Sequence, residues 1–275
     1  MPVSRRQKIQ RLEKNLEGLG PSVVAFSGGV DSSFLLAVCC RVLKGRILAV
    51  TALSQTYTPA EARCAEKTAK ALGARHVFIS TREWDDRHFR ANPKDRCYYC
   101  KKELFGCLKM VAGTQGFGCI LDGSNADDLR DYRPGAKAKA EAGVRSPLQE
   151  AGLTKEDIRE ASRELGLESW NKPAMPCLAS RVPYGSAITK KRLLRIGKAE
   201  ALVKDAFGIR GNLRVRDFWP LARIEADRKE LTLLKKSESR LREMLGPLGY
   251  KNIRIEGYRM GNLNTPLVET RSRPK

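Results

Sequence analysis

Residues 27–33 read SGGVDSS and lie between two apolar runs, PSVVAF (21–26) and FLLAVCCRVL (34–43). A short buried run before the motif and a longer one after it predict a strand, a tight turn and a helix. Such a turn suits an anion. Gly28 and Gly29 carry no Cβ and let backbone N–H groups approach an oxyanion, and a helix starting near Asp31 adds its unsatisfied donors and its dipole. Phosphate is the expected guest; a plain turn with Asp31 and Ser32 as helix caps is the structural alternative. The Lys of a Walker loop, GxxxxGK[ST], which reaches the β- and γ-phosphates, has no counterpart in this stretch.

The chain has 275 residues, enough for one large domain or two ordinary ones with proper cores. Its 52 Lys and Arg against 31 Asp and Glu give a formal charge of +21, which calls for a polyanionic partner or an anionic substrate. The basic residues run along the whole chain rather than in one tail, and aromatics at 7% offer no evident stacking platform for a single strand. Charge alone therefore does not choose between tRNA, a nucleotide-like small molecule and solubility. The N-terminal stretch is basic without an apolar core, and no apolar run is long enough to span a bilayer, so the expected location is the cytoplasm, with no membrane insertion. In that reducing setting eight cysteines are expected as core residues, metal ligands or reactive thiols rather than disulfides.

Residues 5–18 fit an amphipathic helix with Ile9, Leu12 and Leu16 on one face. RILAVTAL (46–53), HVFIS (76–80) and CILD (119–122) read as three further buried strands. A helix through AEARCAEKTAKALG follows the first of them, with Ala62, Ala65, Ala69 and Leu72 inward and Cys64 read as structural; LFGCLKMVAGTQG is a helix before the last. Strands alternating with helices predict an α/β fold, a Rossmann-like parallel sheet with helices on both faces, whose ligand lies outside the carboxyl ends of the strands. The SGGVDSS turn is at that edge.

Three more stretches carry chemistry. NPKDRCYYCKKELF (92–105) holds Cys97 and Cys100 as a CxxC with a loop before it and a helix after it. A lone CxxC is half a zinc site, a redox pair, a cluster ligand pair or chance, and zinc is disfavoured by a supply of only two histidines, His76 and His88, and no second CxxC. Cys107, on the same helix, is expected in the core. In LDGSNADDLRDYRPG, Asp122, Asn125, Asp127 and Asp128 crowd a strand end, where they suit magnesium, ribose hydroxyls or the Asx-turns of the loop itself; Asp131, Arg133, Pro134 and Gly135 make a second polar turn. WNKPAMPCLASRVPYG (170–185) presents Cys177 in a short loop between prolines that fix an extended path, with Ser180 and Arg181 within reach of an anion.

The opening turn resembles the PP-loop, SGGxDS, of the ATP pyrophosphatase superfamily, whose members split ATP between the α- and β-phosphates and adenylate a substrate. The resemblance implies an adenine nucleotide alpha hydrolase-like fold and ATP with Mg2+, with Ser27, Gly28, Gly29, Asp31, Ser32 and Ser33, and beyond the turn Asp122, Asn125 and Asp128, around the nucleotide. SGGVDSS, RCYYCK, DGSNADDLRDYRPG, RSPL and KPAMPCLASRVPYG together resemble, over nearly the whole chain, the LarE family of ATP-dependent sulfur transferases. That family sulfurates the pyridinium-3,5-biscarboxylic acid mononucleotide precursor of the nickel-pincer nucleotide cofactor. The resemblance implies a homo-oligomer, a small-molecule substrate, and catalytic roles for Asp31, Cys177, Ser180 and Arg181. It also implies one of two sulfur sources: a lone cysteine at the position of Cys177 that is consumed, or a 4Fe-4S cluster, for which Cys97, Cys100 and Cys177 supply three thiolates. tRNA thiolases of the TtcA type pair a PP-loop with a three-cysteine cluster and are the competing resemblance. A non-catalytic basic binding protein on the same fold is the remaining one. The absence of an appended RNA-binding segment and of a second CxxC favours LarE.

From about Val182 the composition shifts, which predicts a PP-loop domain over 1–182 and a smaller C-terminal α+β domain over 183–275 for substrate binding and oligomerisation. ITKKRLLRIGKAEALVKDAFG reads as a helix, and LRVR and ARIEA as a hairpin that NIRIEG joins. Period-two spacing puts Arg214 and Arg216 on one face. With Glu200, Arg223 and Glu225 they match the family's polar pattern, which implies contacts to a substrate phosphate or carboxylate; a solvated strand face is the alternative. Phe218 stands where relatives commonly have His and carries no assigned role.

Overall fold

The computed structural model describes residues 3–54, 56, 59–130, 133–173 and 176–259, which fall into two compact units, Met1–Met175 and Pro176–Lys275. Asp131 of the second polar turn lies outside the described residues. In the first unit β1 (Ser22–Ala25), β2 (Ile47–Leu53), β3 (Arg75–Ser80) and β4 (Cys119–Leu121) form one parallel sheet in the order β3-β2-β1-β4. These are the four strands that the apolar runs predict. Around them stand α1 (Arg5–Glu17), α2 (Val30–Leu43), α3 (Pro59–Ala71), α4 (Arg87–Ala91), α5 (Arg96–Thr114), α6 (Gly135–Glu141), α7 (Pro147–Glu150) and α8 (Lys155–Glu164).

Side chains of a strand alternate between faces, and each face here has its own core. Val24, Ala49 and Leu121 pack with Leu12, Leu16, Phe34, Leu35 and Ile158 of α1, α2 and α8. Val23, Leu48, Val50 and Ile120 pack on the other side with Phe105 and Leu108 of α5 and Ala138 of α6. Both faces are thus covered, as a parallel sheet requires. Because β1 is flanked by β2 on one side and β4 on the other, the turn after β1 opens at the switch point of the sheet, where such folds leave a crevice.

The CxxC does not precede its helix but belongs to it. α5 begins at Arg96, so Cys97 and Cys100 lie on its first turns, with Tyr98 N–H donating to the Asp95 carbonyl at 2.8 Å. The helical spacing that Phe105 and Leu108 need for the core simply continues back through RCYYC.

α8 starts on a capping box. The Thr154 side chain accepts from Asp157 N–H at 3.2 Å, the Asp157 carboxylate accepts from Thr154 N–H at 2.9 Å, and Lys8 adds an ion pair at 2.7 Å. Burial pushes the Asp157 carboxyl up, but Lys8 and the Thr154 donors outweigh it and hold it below the ordinary carboxylate value. A folded value below the unfolded one means that this contribution to stability is complete above about pH 4 and fades as pH falls through the depressed value. Asp157→Asn is expected to lower the urea midpoint at neutral pH and to flatten its loss on acidification.

In the second unit β5 (Leu213–Phe218) and β6 (Leu221–Ala226) form an antiparallel hairpin, and β7 (Asn252–Gly257) pairs parallel to β6. The parallel pairing needs a crossover, which α10 (Arg228–Lys236) and α11 (Glu238–Leu245) provide. These elements and α9 (Lys190–Phe207) share a core of Ala199, Val203, Val215, Ile224, Leu234, Leu241 and Leu245. The division of the chain comes ahead of the composition shift at Val182. Residues 176–182 go with the C-terminal unit because Arg181 is clamped on Glu200 of α9 and the Ser180 carbonyl accepts from Arg216 of β5. Among the described residues no helix is long and apolar enough to cross a membrane.

Candidate nucleotide and substrate sites

β1 leads through Phe26 into the turn, and α2 leaves it at Val30. The N-cap of α2 is Gly29, in extended geometry, and no side chain caps the helix through it. The first-turn N–H groups and the positive end of the dipole are therefore available to an anion rather than spent on a cap. Ser32 turns back into the loop, its Oγ donating to the Gly29 carbonyl at 3.3 Å and lying 3.1 Å from the Ser27 Oγ. Ser33 N–H donates to Gly29 O at 2.9 Å, while the Ser33 Oγ is buried with no hydrogen-bond partner. The loop has a hard floor and a hard back wall. A Cβ at Gly28, where φ is +66°, would stand 2.8 Å from the Ala65 Cα of α3, and a Cβ at Gly123 would stand 3.0 Å from the Ser32 backbone nitrogen. Gly28→Ala combines that clash with a left-handed conformation costing about 1–2 kcal/mol. It is expected to weaken ATP binding, as measured by equilibrium dialysis, without changing the chemistry of the loop.

Asp31 projects from the first turn of α2. Its carboxylate pairs with Lys155 Nζ, from the capped head of α8, and accepts from Asn125 Nδ2 at 3.4 Å. The strand-end acids divide in role. Asp122 is buried and accepts from Ser124 Oγ at 2.7 Å and Ser146 Oγ at 2.6 Å, which ties the end of β4 to the start of α7. Asp127 accepts from Lys155 N–H at 2.7 Å. Asp128 accepts from Asn125 N–H at 3.0 Å and pairs with Arg133 at 2.7 Å. Burial pushes the Asp128 carboxyl up, against the pull of Asn125 and Arg133, and the charges of Asp31 and Asp122 add to the rise. Asp31, Asp122 and Asp128 thus share one field around the turn, although among the described residues no three His, Cys, Asp or Glu side chains gather so as to hold a metal ion unaided.

The second unit brings its predicted residues together in one buried charge network. Arg181 spans Glu200 with both oxygens, at 2.8 and 3.1 Å, and donates to the carbonyls of Pro176 and Cys177 and to Ser180 Oγ, so it fixes the loop that carries Cys177. Glu200 also accepts from Val215 N–H at 3.0 Å. Arg216 holds Glu225 Oε2 at 2.9 and 3.1 Å and Ser180 O at 2.7 Å, and Arg223 takes the other Glu225 oxygen at 3.0 Å. Arg214, 3% exposed, donates to the Leu213 carbonyl, and burial followed by the nearby Arg181 charge pulls its guanidinium below the usual arginine value. A solvated strand face is ruled out: Arg214, Arg216, Arg223 and Glu225 are all buried. Among the described residues the network thus joins the buried guanidinium groups of Arg181, Arg214, Arg216 and Arg223 to the buried carboxylates Glu200 and Glu225, with Glu256 3.9 Å from Arg223 at its edge.

None of the eight cysteines is in a disulfide; Cys97, Cys100, Cys107 and Cys177 are half-buried. Cys177 lies at the N-terminal end of a 3-10 turn over Leu178–Arg181 and belongs to the second unit, Cys97 and Cys100 to the first. Two lysines absent from the sequence reading reach the phosphate turn. Besides Lys155 at Asp31, Lys172 Nζ donates to the Gly28 carbonyl at 3.0 Å. No local pattern marks either of them.

A family model described as asparagine synthase matches residues 10–175, which span the four-stranded sheet and helices α2 to α8. Among curated relatives, an uncharacterised protein of Synechocystis sp. is 39% identical over 95% of this chain and 98% of its own. The pyridinium-3,5-bisthiocarboxylic acid mononucleotide synthase of Lactiplantibacillus plantarum is 35% identical over 92% of both chains. An uncharacterised protein of Methanocaldococcus jannaschii is 26% identical over 92% of this chain and 98% of its own. With an uncapped SGGVDSS turn at the switch point of a parallel sheet, and with that near full-length identity, the chain belongs to the LarE family of ATP-dependent sulfurtransferases within the PP-loop ATP pyrophosphatases.

Proposed function

We propose that this chain uses ATP to adenylate a carboxylate of pyridinium-3,5-biscarboxylic acid mononucleotide and then replaces the adenylate by sulfur, giving a thiocarboxylate. The observation that carries the reading is the head of α2, a helix N-terminus left without a side-chain cap and carrying Asp31. The triphosphate lies on the Ser27–Ser33 backbone. The substrate carboxylate attacks the α-phosphorus, the bond to the bridging oxygen of the β-phosphate breaks, and pyrophosphate leaves onto the N–H groups of the first turn of α2. A sulfur nucleophile then attacks the acyl carbon and AMP departs. Mg2+ is bound by one or two carboxylates plus phosphate oxygens rather than by an all-protein cage, and Asp31, with Asp128 near it in the same field, fits that requirement; the ion would neutralise charge on the leaving pyrophosphate. Arg214, Arg216 and Arg223, with Glu200 and Glu225, are assigned to the substrate, because guanidinium groups pair well with the phosphate and carboxylates that it bears.

For the sulfur we assign Cys97, Cys100 and Cys177 as thiolate ligands of a 4Fe-4S cluster, with consumption of Cys177 as the alternative. Cys97 and Cys100 fit as a ligand pair: they are half-buried and three residues apart on the first turns of α5. The cluster would supply a bound sulfide for transfer. Residues 176–275 are assigned to substrate binding and to a homo-oligomeric interface, and the enzyme to the cytoplasm. Two measurements test the reading. Pyrophosphate and AMP should be released from ATP on adding the pyridinium dicarboxylate mononucleotide and not on adding tRNA; the reverse result sinks the substrate assignment. Anaerobic reconstitution with iron and sulfide should give an absorbing, iron-loaded wild type and an unstable or colourless Cys97→Ala, and a colourless wild type would leave only the sacrificial route.

A further inference from the structure

Seven of the eight cysteines have an account. Burial pushes the thiols of Cys39, Cys40, Cys107 and Cys119 up, which keeps them protonated, and Cys97, Cys100 and Cys177 are assigned to sulfur chemistry. Cys64 is the remaining one. It is half-buried on α3, beside Ala65, the residue that forms the floor under Gly28. The Lys172 ammonium lies 2.8 Å from its Sγ and 3.0 Å from the Gly28 carbonyl oxygen. One cation therefore bridges a partly exposed thiol and the backbone of the phosphate turn. Oxidants attack the sulfur of an accessible thiol, and an amine in contact with an oxidised sulfur is placed to capture it.

We propose that Cys64 and Lys172 form a reversible oxidative cross-link that closes the nucleotide turn. A peroxide is the oxidant. The Cys64 sulfur attacks it, an S–O bond forms, the O–O bond breaks and water leaves, giving a sulfenic acid. Lys172 gives up a proton and attacks that sulfur; an S–N bond forms, the S–O bond breaks and a second water departs. In sum a thiol, an ammonium and hydrogen peroxide become a sulfenamide, two waters and a proton, with sulfur oxidised and peroxide reduced. Attack of an added thiol on the sulfur releases the amine and leaves a mixed disulfide, and a second thiol restores Cys64. The link removes the positive charge of Lys172 from beside Gly28 and pins the segment after α8 to α3 across the seat of the triphosphate. The inference rests on the reading of that turn as the nucleotide site.

The test treats the full chain with hydrogen peroxide and follows two readouts, peptide mass spectrometry after blocking of remaining thiols and ATP affinity by equilibrium dialysis. A peptide pair joining Cys64 to Lys172 and lacking two hydrogens is expected, together with at least about a tenfold loss of ATP affinity that dithiothreitol reverses. Cys64→Ser and Cys64→Ala should bind ATP like the reduced wild type and ignore peroxide, and Lys172→Arg should yield no linked pair. Absence of the pair in wild type, or an equal loss of affinity in the Cys64 variants, overturns the proposal. A reduced wild type that does not bind ATP would instead overturn the nucleotide reading and this inference with it, whereas a protein that binds ATP equally well when reduced and when linked overturns the switch alone.

Discussion

Asp31→Asn is expected to lower substrate-dependent pyrophosphate release by about 10²–10³-fold, the usual size of losing one fixed electrostatic group at a reacting centre, while barely moving the thermal midpoint. The asymmetry follows from exposure. The Asp31–Lys155 pair has side chains 25% and 34% exposed, and pairs of that kind contribute about 0–1 kcal/mol. Nor does Asp31 act as the N-cap of α2, since that position is Gly29. A residue kept only for structure would show the opposite pattern, a lower midpoint with pyrophosphate release intact. Release at the wild-type rate in Asp31→Asn would therefore remove this carboxylate from the mechanism, and the loop would have to work through its backbone donors alone.

Glu200→Ala should do the reverse and act first on stability. Its carboxylate receives Arg181 through both oxygens and the Val215 N–H as well, with the Arg181 and Glu200 side chains only 4% and 9% exposed. Truncation leaves a buried guanidinium and a buried N–H without that acceptor, a change on the order of 3–5 kcal/mol. Glu200→Gln keeps an oxygen for Val215 or Arg181 and should cost less. Denaturant unfolding of the two variants, run beside KM for the mononucleotide, separates a residue that acts through Arg181 from one that meets the substrate directly. A raised KM with an unchanged unfolding midpoint would show that Glu200 serves the ligand and not the Cys177 loop.

The sheet was legible in the chain because its four strands are short apolar runs bounded by polar or glycine-bearing turns, and each such run had only one reading of suitable length. The phosphate turn was legible for a related reason: an anion site made from backbone N–H groups is local, and seven consecutive residues contain all of it. What could not be read was anything arriving from far along the chain. Lys155 and Lys172 contact the turn from 124 and 144 residues downstream, and one lysine among 52 basic residues carries no mark of its destination. Alternation along β5 placed Arg214 and Arg216 on one face but gave no reason to bury that face. The reason is the pair of carboxylates that α9 and β6 bring to it, Glu200 and Glu225. α5 starts earlier than a loop-borne ligand motif would suggest because RCYYC also fits the helical register set by Phe105 and Leu108.

The buried network of the second unit is built on ion pairs: Arg181 on Glu200, Arg216 and Arg223 on Glu225, and Arg195 on Asp217. Divergence in this half of the protein is then constrained pairwise. A lineage that changes one of these carboxylates leaves a buried guanidinium behind unless its partner changes with it. Among relatives, a change at Glu200 should accordingly come with a change at Arg181, and a change at Glu225 with changes at Arg216 and Arg223.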